Sequence, residues 1–106
     1  RQRAEVLARA LNSQAEKEFA ASLPGVELYQ EEFDLYMDFV GQYGMGNWRS
    51  SSMRTNLQAG NYAAACKALL KWRFAAGYDC STPGNKRCWG VWQRQLNRHA
   101  KCMEAQ

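Results

Sequence analysis

Residues 41–52 read Gly41-Gln42-Tyr43-Gly44-Met45-Gly46-Asn47-Trp48-Arg49-Ser50-Ser51-Ser52. The glycines of this stretch separate two helical patterns. Before it, Phe33, Tyr36, Met37 and Val40 share one face of a helix expected over about 28–43. Glu27, Glu31 and Glu32 stand near that helix's start, where its dipole favours negative charge. After it, Ser50 or Ser51 is placed to cap a short helix near 51–58, which Gly60 ends. Glycine also lets a ligand approach the backbone. Gln42, Tyr43, Asn47, Ser50, Ser51 and Ser52 carry hydrogen-bonding groups, and Trp48 and Trp72 offer flat apolar faces. Sugars suit such a set, because their hydroxyls take donors and acceptors and their C–H faces take aromatics. An ordinary helix–helix link with core tryptophans has the same composition, so the residues alone leave both readings open.

Working outward, residues 1–22 are rich in Arg, Glu, Ala, Leu, Gln and Lys, which favour helix. Leu7, Leu11, Ala15 and Phe19 recur every fourth residue, and Leu23-Pro24-Gly25 stops the pattern. On the C-terminal side, Asn61 is placed to cap a further helix, with Tyr62, Ala65, Cys66, Leu69, Leu70 and Phe74 turned inward and Gly77 closing it. Residues 78–87 read as loop. A last helix is expected over about 86–102, with Trp89, Trp92 and Leu96 on one face. Few residues look committed to strand, so the fold class is all-α, about five helices with short links.

The chain has 106 residues, enough for one domain with a packed core. Its formal charge is +4, which favours polyanions such as nucleic acid, anionic lipid or a carboxylate-rich bacterial wall, and equally serves plain solubility. Arg and Lys are scattered over all the helices rather than gathered in a stripe, which argues against a nucleic-acid partner. No apolar run is long enough to span a membrane, and the start, RQRAEVLARA, has charges where a signal peptide needs its apolar stretch.

Four cysteines, Cys66, Cys80, Cys88 and Cys102, allow three pairings. Cys80 and Cys88 bracket the turn-forming STPGNKR, which favours Cys80–Cys88 and leaves Cys66–Cys102 to tie two helices together. The spacings lack the close cysteine pairs of structural zinc sites, and no metal or cofactor is expected. Two disulfides imply an oxidising compartment, periplasmic or extracellular; four reduced, buried thiols are the alternative.

Catalytic signatures are sparse. There is no phosphate-binding loop, nucleophile elbow or zinc-protease helix, and His99 is the single histidine. Glycoside hydrolysis needs a pair of carboxyl groups. Glu31, Asp34 and Asp38 lie along one helix face with Glu27 at its start, but their polar neighbours read as a solvated surface. A general acid needs burial to raise its pKa.

Taken in order, several segments resemble the phage-type lysozymes, or endolysins, a family of glycoside hydrolases. Pro24-Gly25-Val26-Glu27-Leu28 followed by Gln30-Glu31-Glu32-Phe33-Asp34 is similar to the start of that family's central core helix. Residues 39–52, from Phe39-Val40 to Ser50-Ser51-Ser52, resemble F-x-x-N-x-G-x-G-N-[FW]-x-x-S-T. Gly60-Asn61-Tyr62 with Ala65, Leu69 and Lys71-Trp72 looks like the following G-[DR]-[WY]…A…L…W run, and Gly90-Val91-Trp92-Gln93-Arg94 like the G-L-x-x-R that opens the last helix.

The resemblance implies a muramidase, which cleaves the β-1,4 bond between N-acetylmuramic acid and N-acetylglucosamine in peptidoglycan. It implies that residues 1–24 are the helix joining two lobes and 25–106 the helical C-terminal lobe. The N-terminal lobe, with its catalytic Glu and a β-hairpin bearing Asp or Cys and Thr, has no counterpart in these residues. No catalytic residue is therefore expected here, and the isolated chain is expected to be inactive. Arg94 matches the arginine that faces and holds the catalytic Glu, although Gln95 stands where a second Arg is common. Gln42 and Tyr43 match cleft-wall positions, Asn often replacing Gln42. Asn47, Ser50 and Ser51 belong to the polar stretch bordering the sugar sites. Trp48 and Trp72 are structural aromatics, Trp72 matching the one packed behind the cleft. Glycan strands and the missing lobe are the implied partners, with no membrane or nucleic acid. A non-catalytic module binding peptidoglycan or a partner is the alternative.

Overall fold

The computed structural model describes residues 2–106. A short strand, β1 (Ala4–Glu5), passes through a 3-10 turn at Val6–Ala8 to helix α1 (Gln14–Ala21). Strand β2 (Glu27–Leu28) returns antiparallel to β1, pairing Ala4 with Leu28 and Glu5 with Glu27. The long central helix α2 (Gln30–Tyr43) follows, then α3 (Met45–Arg49), α4 (Ser52–Gln58) and α5 (Tyr62–Ala68). A 3-10 turn at Leu69–Lys71 leads into the hairpin β3 (Phe74–Ala75) and β4 (Tyr78–Asp79), and α6 (Trp89–Glu104) closes the molecule against α2 and α5. The architecture is the expected all-α lobe.

The helix expected over 1–22 is confined to Gln14–Ala21, with Arg1 outside the described residues. Two local forces override the propensity of the first residues. Ser13 accepts from the Glu16 backbone N–H while Glu16 accepts from the Ser13 N–H, a reciprocal capping box that starts α1 there. Upstream, the Val6 N–H donates to the Val26 carbonyl and β1 pairs with β2, so the chain runs extended. Val6, Phe19, Ala20 and Leu23 share one core with residues of α2, α4, α5 and α6.

The glycine segment breaks once rather than throughout. Gly41 stays inside α2, and the turn falls at Gly44, whose φ of 92° is open to glycine. The chain then coils again as α3. Ser51, not Ser50, caps α4, accepting from the Arg54 N–H.

Two inward faces also differ from expectation. The helix after Asn61 ends early, Gly77 turns a hairpin, and Phe74 stands on a strand 50% exposed. On α6, Trp89 is exposed and Trp92 and Leu96 are only half-buried, while Gln95, Arg98 and Cys102 point into the protein. A face that buries Gln and Arg carries no apolar periodicity to read. Both expected disulfides are formed: Cys66–Cys102 joins α5 to α6, and Cys80–Cys88 closes the loop ahead of α6.

Candidate functional site: an aromatic and hydroxyl groove

The turn at Gly44 decides what faces the groove. It brings Tyr43, at the end of α2, beside Asn47 of α3 and the serines that open α4, while the 3-10 turn carries Lys71, Trp72 and then Phe74 up to the same place. The groove so formed has a volume of about 600 Å³. Its walls are Tyr43, Trp72 and Phe74 on one side and Asn47 with Ser50, Ser51 and Ser52 on the other, with Lys71 as the charged residue among its lining.

The aromatic wall is held from below. The Tyr43 and Trp72 rings lie 5.4 Å apart, and Phe39 stacks on Tyr43 at 4.7 Å and meets Trp72 edge-on at 5.2 Å. The Tyr43 hydroxyl donates to the Trp72 carbonyl at 3.3 Å. Burial pushes the Tyr43 phenol above its ordinary range, and Arg98 only partly offsets this, so it stays protonated near neutral pH.

On the polar wall, Asn47 Nδ2 donates to the Tyr43 carbonyl at 2.7 Å, and Ser50 Oγ to the Asn47 carbonyl at 3.2 Å. Ser51 is buried, donating to the Trp48 carbonyl and receiving the Arg54 N–H, so its oxygen is largely committed to the fold. Asn47 and Ser50 are exposed and keep acceptor capacity for a ligand.

Six of the residues marked by sequence thus meet in one groove: Tyr43, Asn47, Ser50, Ser51, Ser52 and Trp72. Trp48 lies beneath, fully buried. Trp72 is half-buried and forms part of the groove wall rather than standing only behind it. Gln42 is not among the lining residues; its Oε1 is buried without a hydrogen-bonding partner among the described residues. Phe74 and Lys71 carry no groove signal in the sequence: spacing assigns Phe74 to the inward stripe of the helix after Asn61, but that helix ends at Ala68.

Arg94 is exposed and lines a different, larger groove of about 780 Å³ between α2 and α6. Glu31, Asp34 and Asp38 stand on one side of that groove and Arg94, Arg98 and Lys101 on the other. Its walls are charged and its aromatic content nil, so the smaller groove fits a sugar better. The candidate carboxylates Glu27, Glu31, Asp34 and Asp38 are all exposed, as expected of a solvated face. Glu32 is the one buried carboxylate among the described residues, and it is committed to the Arg3 guanidinium, the Tyr29 N–H and the Gln106 amide. Among the described residues no three His, Cys, Asp or Glu side chains gather as metal ligands.

Fold and groove define a disulfide-tied helical lobe with an aromatic and hydroxyl-lined groove. The chain belongs to the phage lysozyme family, whose model matches residues 1–99. It is similar to an endolysin of Bacillus phage B103, 35% identical over 52 residues that cover 49% of this chain and 20% of the endolysin. The match therefore spans about a fifth of that relative's length.

Proposed function

We propose that this chain is the glycan-binding lobe of a peptidoglycan hydrolase that cleaves between N-acetylmuramic acid and N-acetylglucosamine. The observation that carries the reading is the groove: three aromatic rings, a row of amide and hydroxyl groups, and no carboxylate among the lining residues. Its rings take the C–H faces of the sugars, and Asn47 and Ser50 take their hydroxyls. Family membership supports peptidoglycan as the polymer.

In this reading the acid comes from outside these 106 residues. Cleavage needs a carboxylic acid to protonate the glycosidic oxygen and a second group to activate water or stabilise the oxocarbenium-like transition state. Glu32 cannot serve while its oxygens hold Arg3, Tyr29 and Gln106. Arg94, exposed on α6, holds the incoming carboxylate by charge-assisted hydrogen bonds. The disulfides and the polymer fit an exported, oxidising location.

The test is binding and turnover measured side by side. The 106-residue chain is expected to sediment with purified peptidoglycan sacculi and to release no reducing ends. Trp72→Ala is expected to weaken sedimentation by about tenfold, in line with one lost aromatic contact at a binding hot spot. Turnover by the chain alone, abolished by Glu32→Gln or Glu31→Gln, would overturn the division of labour. Absence of binding would overturn the groove.

A further inference from the structure

The resemblance directs attention to Arg94, but the arginine that α6 buries is one turn later. The Arg98 side chain is 5% exposed. Its Nε and Nη2 reach Asp38 Oδ2 at 2.9 and 2.8 Å, and its Nη1 donates to Gln95 Oε1. Gln95 is fully buried, and its Nε2 donates to the Leu69 carbonyl at 2.7 Å and the Trp72 carbonyl at 3.1 Å. The Tyr43 hydroxyl donates to that same Trp72 carbonyl.

Arginine has donors and no acceptor, so it dictates which way the Gln95 amide faces: oxygen to Arg98, nitrogen to the two carbonyls. The Leu69 carbonyl also accepts the Trp72 N–H, the bond that ends the 3-10 turn. Gln95 therefore grips both ends of the turn from which Trp72 enters the groove. A buried guanidinium is costly unless paired, and an apolar pair would fill the same volume without that cost. What the polar pair adds is a directed hold on a backbone carbonyl at the groove wall.

We infer that Arg98, acting through Gln95, is a positioning residue for saccharide binding, setting the Tyr43–Trp72 wall from the inward face of α6. The inference rests on the reading of the groove as a glycan site. Arg98 touches no sugar; it fixes the amide that fixes the ring-bearing turn.

The test uses NMR spectra of the 106-residue chain, with a soluble tetrasaccharide of alternating N-acetylglucosamine and N-acetylmuramic acid as probe. In the unmodified chain the Gln95 side-chain amide protons are expected to exchange slowly with solvent; rapid exchange would overturn the inference. Gln95→Glu keeps the size and the bond to Arg98 but cannot donate to the Trp72 carbonyl. It is expected to shift the Trp72 and Tyr43 ring resonances and weaken tetrasaccharide binding about tenfold, the effect of one lost hydrogen bond. Asp38→Asn, which leaves the Arg98–Gln95 bond in place, is expected to bind within about twofold of the parent, as for a largely exposed ion-pair partner. If Gln95→Glu does not fold, Arg98→Lys, a cation without the guanidinium fork, is read the same way. A folded variant with unmoved rings and parental affinity overturns the inference. If the parent chain binds no tetrasaccharide, the glycan reading falls, and the ring resonances still decide whether the pair positions the wall.

Discussion

Trp48 shows how a single side chain organises this core. It is fully buried, with Phe19 at 5.1 Å, Tyr36 at 5.3 Å and Phe39 at 6.2 Å, and its Nε1 donates to Ser22 Oγ at 2.8 Å. Ser22 Oγ in turn donates to the Phe19 carbonyl, so the indole ties α3 to the end of α1. Trp48→Ala is expected to cost about 3–5 kcal/mol, the range for emptying a large aromatic site. Trp48→Phe is expected to cost less, since the ring contacts are kept and mainly the Ser22 bond is lost. Guanidinium unfolding midpoints check both. Glu32 is the polar counterpart, 1% exposed beneath Arg3, whose guanidinium lies over the Tyr62 ring at 3.6 Å and the Tyr29 ring at 4.2 Å. Arg3→Ala leaves that carboxylate buried without its cation and is expected to destabilise the fold by about 3–5 kcal/mol. A loss below about 1 kcal/mol by the same measurement, the scale of an exposed pair, would contradict this.

At the scale of elements, the hairpin β3–β4 carries two marks of its own. Its turn residues Ala76 and Gly77 have φ of 51° and 83°, the positive values that two-residue hairpin turns demand and that alanine resists. Ala76→Asn, giving the preferred Asn-Gly turn, is expected to raise stability by about 0.5–1 kcal/mol, seen as a higher melting temperature. Beside it, Asp79 Oδ1 accepts from the Ser81 hydroxyl at 2.6 Å and from the Ser81 N–H at 3.0 Å. These bonds hold the Asp79 carboxyl below its ordinary value. Because the folded value is the lower one, the stabilisation is complete above about pH 4, the unfolded-chain value, and is lost as pH falls through the folded value. An NMR acid titration is expected to show the Ser81 amide shifting with Asp79, and Ser81→Ala to move that midpoint upward. A midpoint unmoved by the substitution would break the link.

For the molecule as a whole, the two disulfides constrain very different lengths of chain. Cys66–Cys102 closes 36 residues and joins two packed helices, whereas Cys80–Cys88 closes 8 within a loop. Loop-closure entropy then assigns about 4 kcal/mol to the first and about 2.5 kcal/mol to the second. The Cys66→Ala/Cys102→Ala pair is accordingly expected to lose more stability than Cys80→Ala/Cys88→Ala in calorimetric unfolding, with the groove's tetrasaccharide affinity retained in the latter. Equal losses would show that loop length does not govern the effect here.

Much of this was legible in the order of the residues. Apolar spacing marked α2, glycine and serine marked the break and the cap after it, and turn residues between Cys80 and Cys88 marked a disulfide, because these are local consequences of backbone conformation. The groove's polar and aromatic side chains were legible in part for the same reason: Tyr43, Asn47 and Ser50 lie within eight consecutive residues around the Gly44 break. The rest depended on distant partners. Residues 4–8 have helical composition, yet the pairing of β1 with β2 and the Ser13–Glu16 box hold them out of helix. Phe74 and Lys71 flank Trp72, whose carbonyl bonds to Gln95, 23 residues further along the chain, a contact that no local pattern announces. Nor does any local pattern distinguish exposed Arg94 from buried Arg98, since both lie on one helix and only the packing of α6 against Asp38 and the Leu69–Lys71 turn separates them. Sequence determined which segments coil, turn and cross-link; tertiary structure decided which polar side chains were taken from water, because that choice depends on whether a partner stands ready to replace the lost solvent.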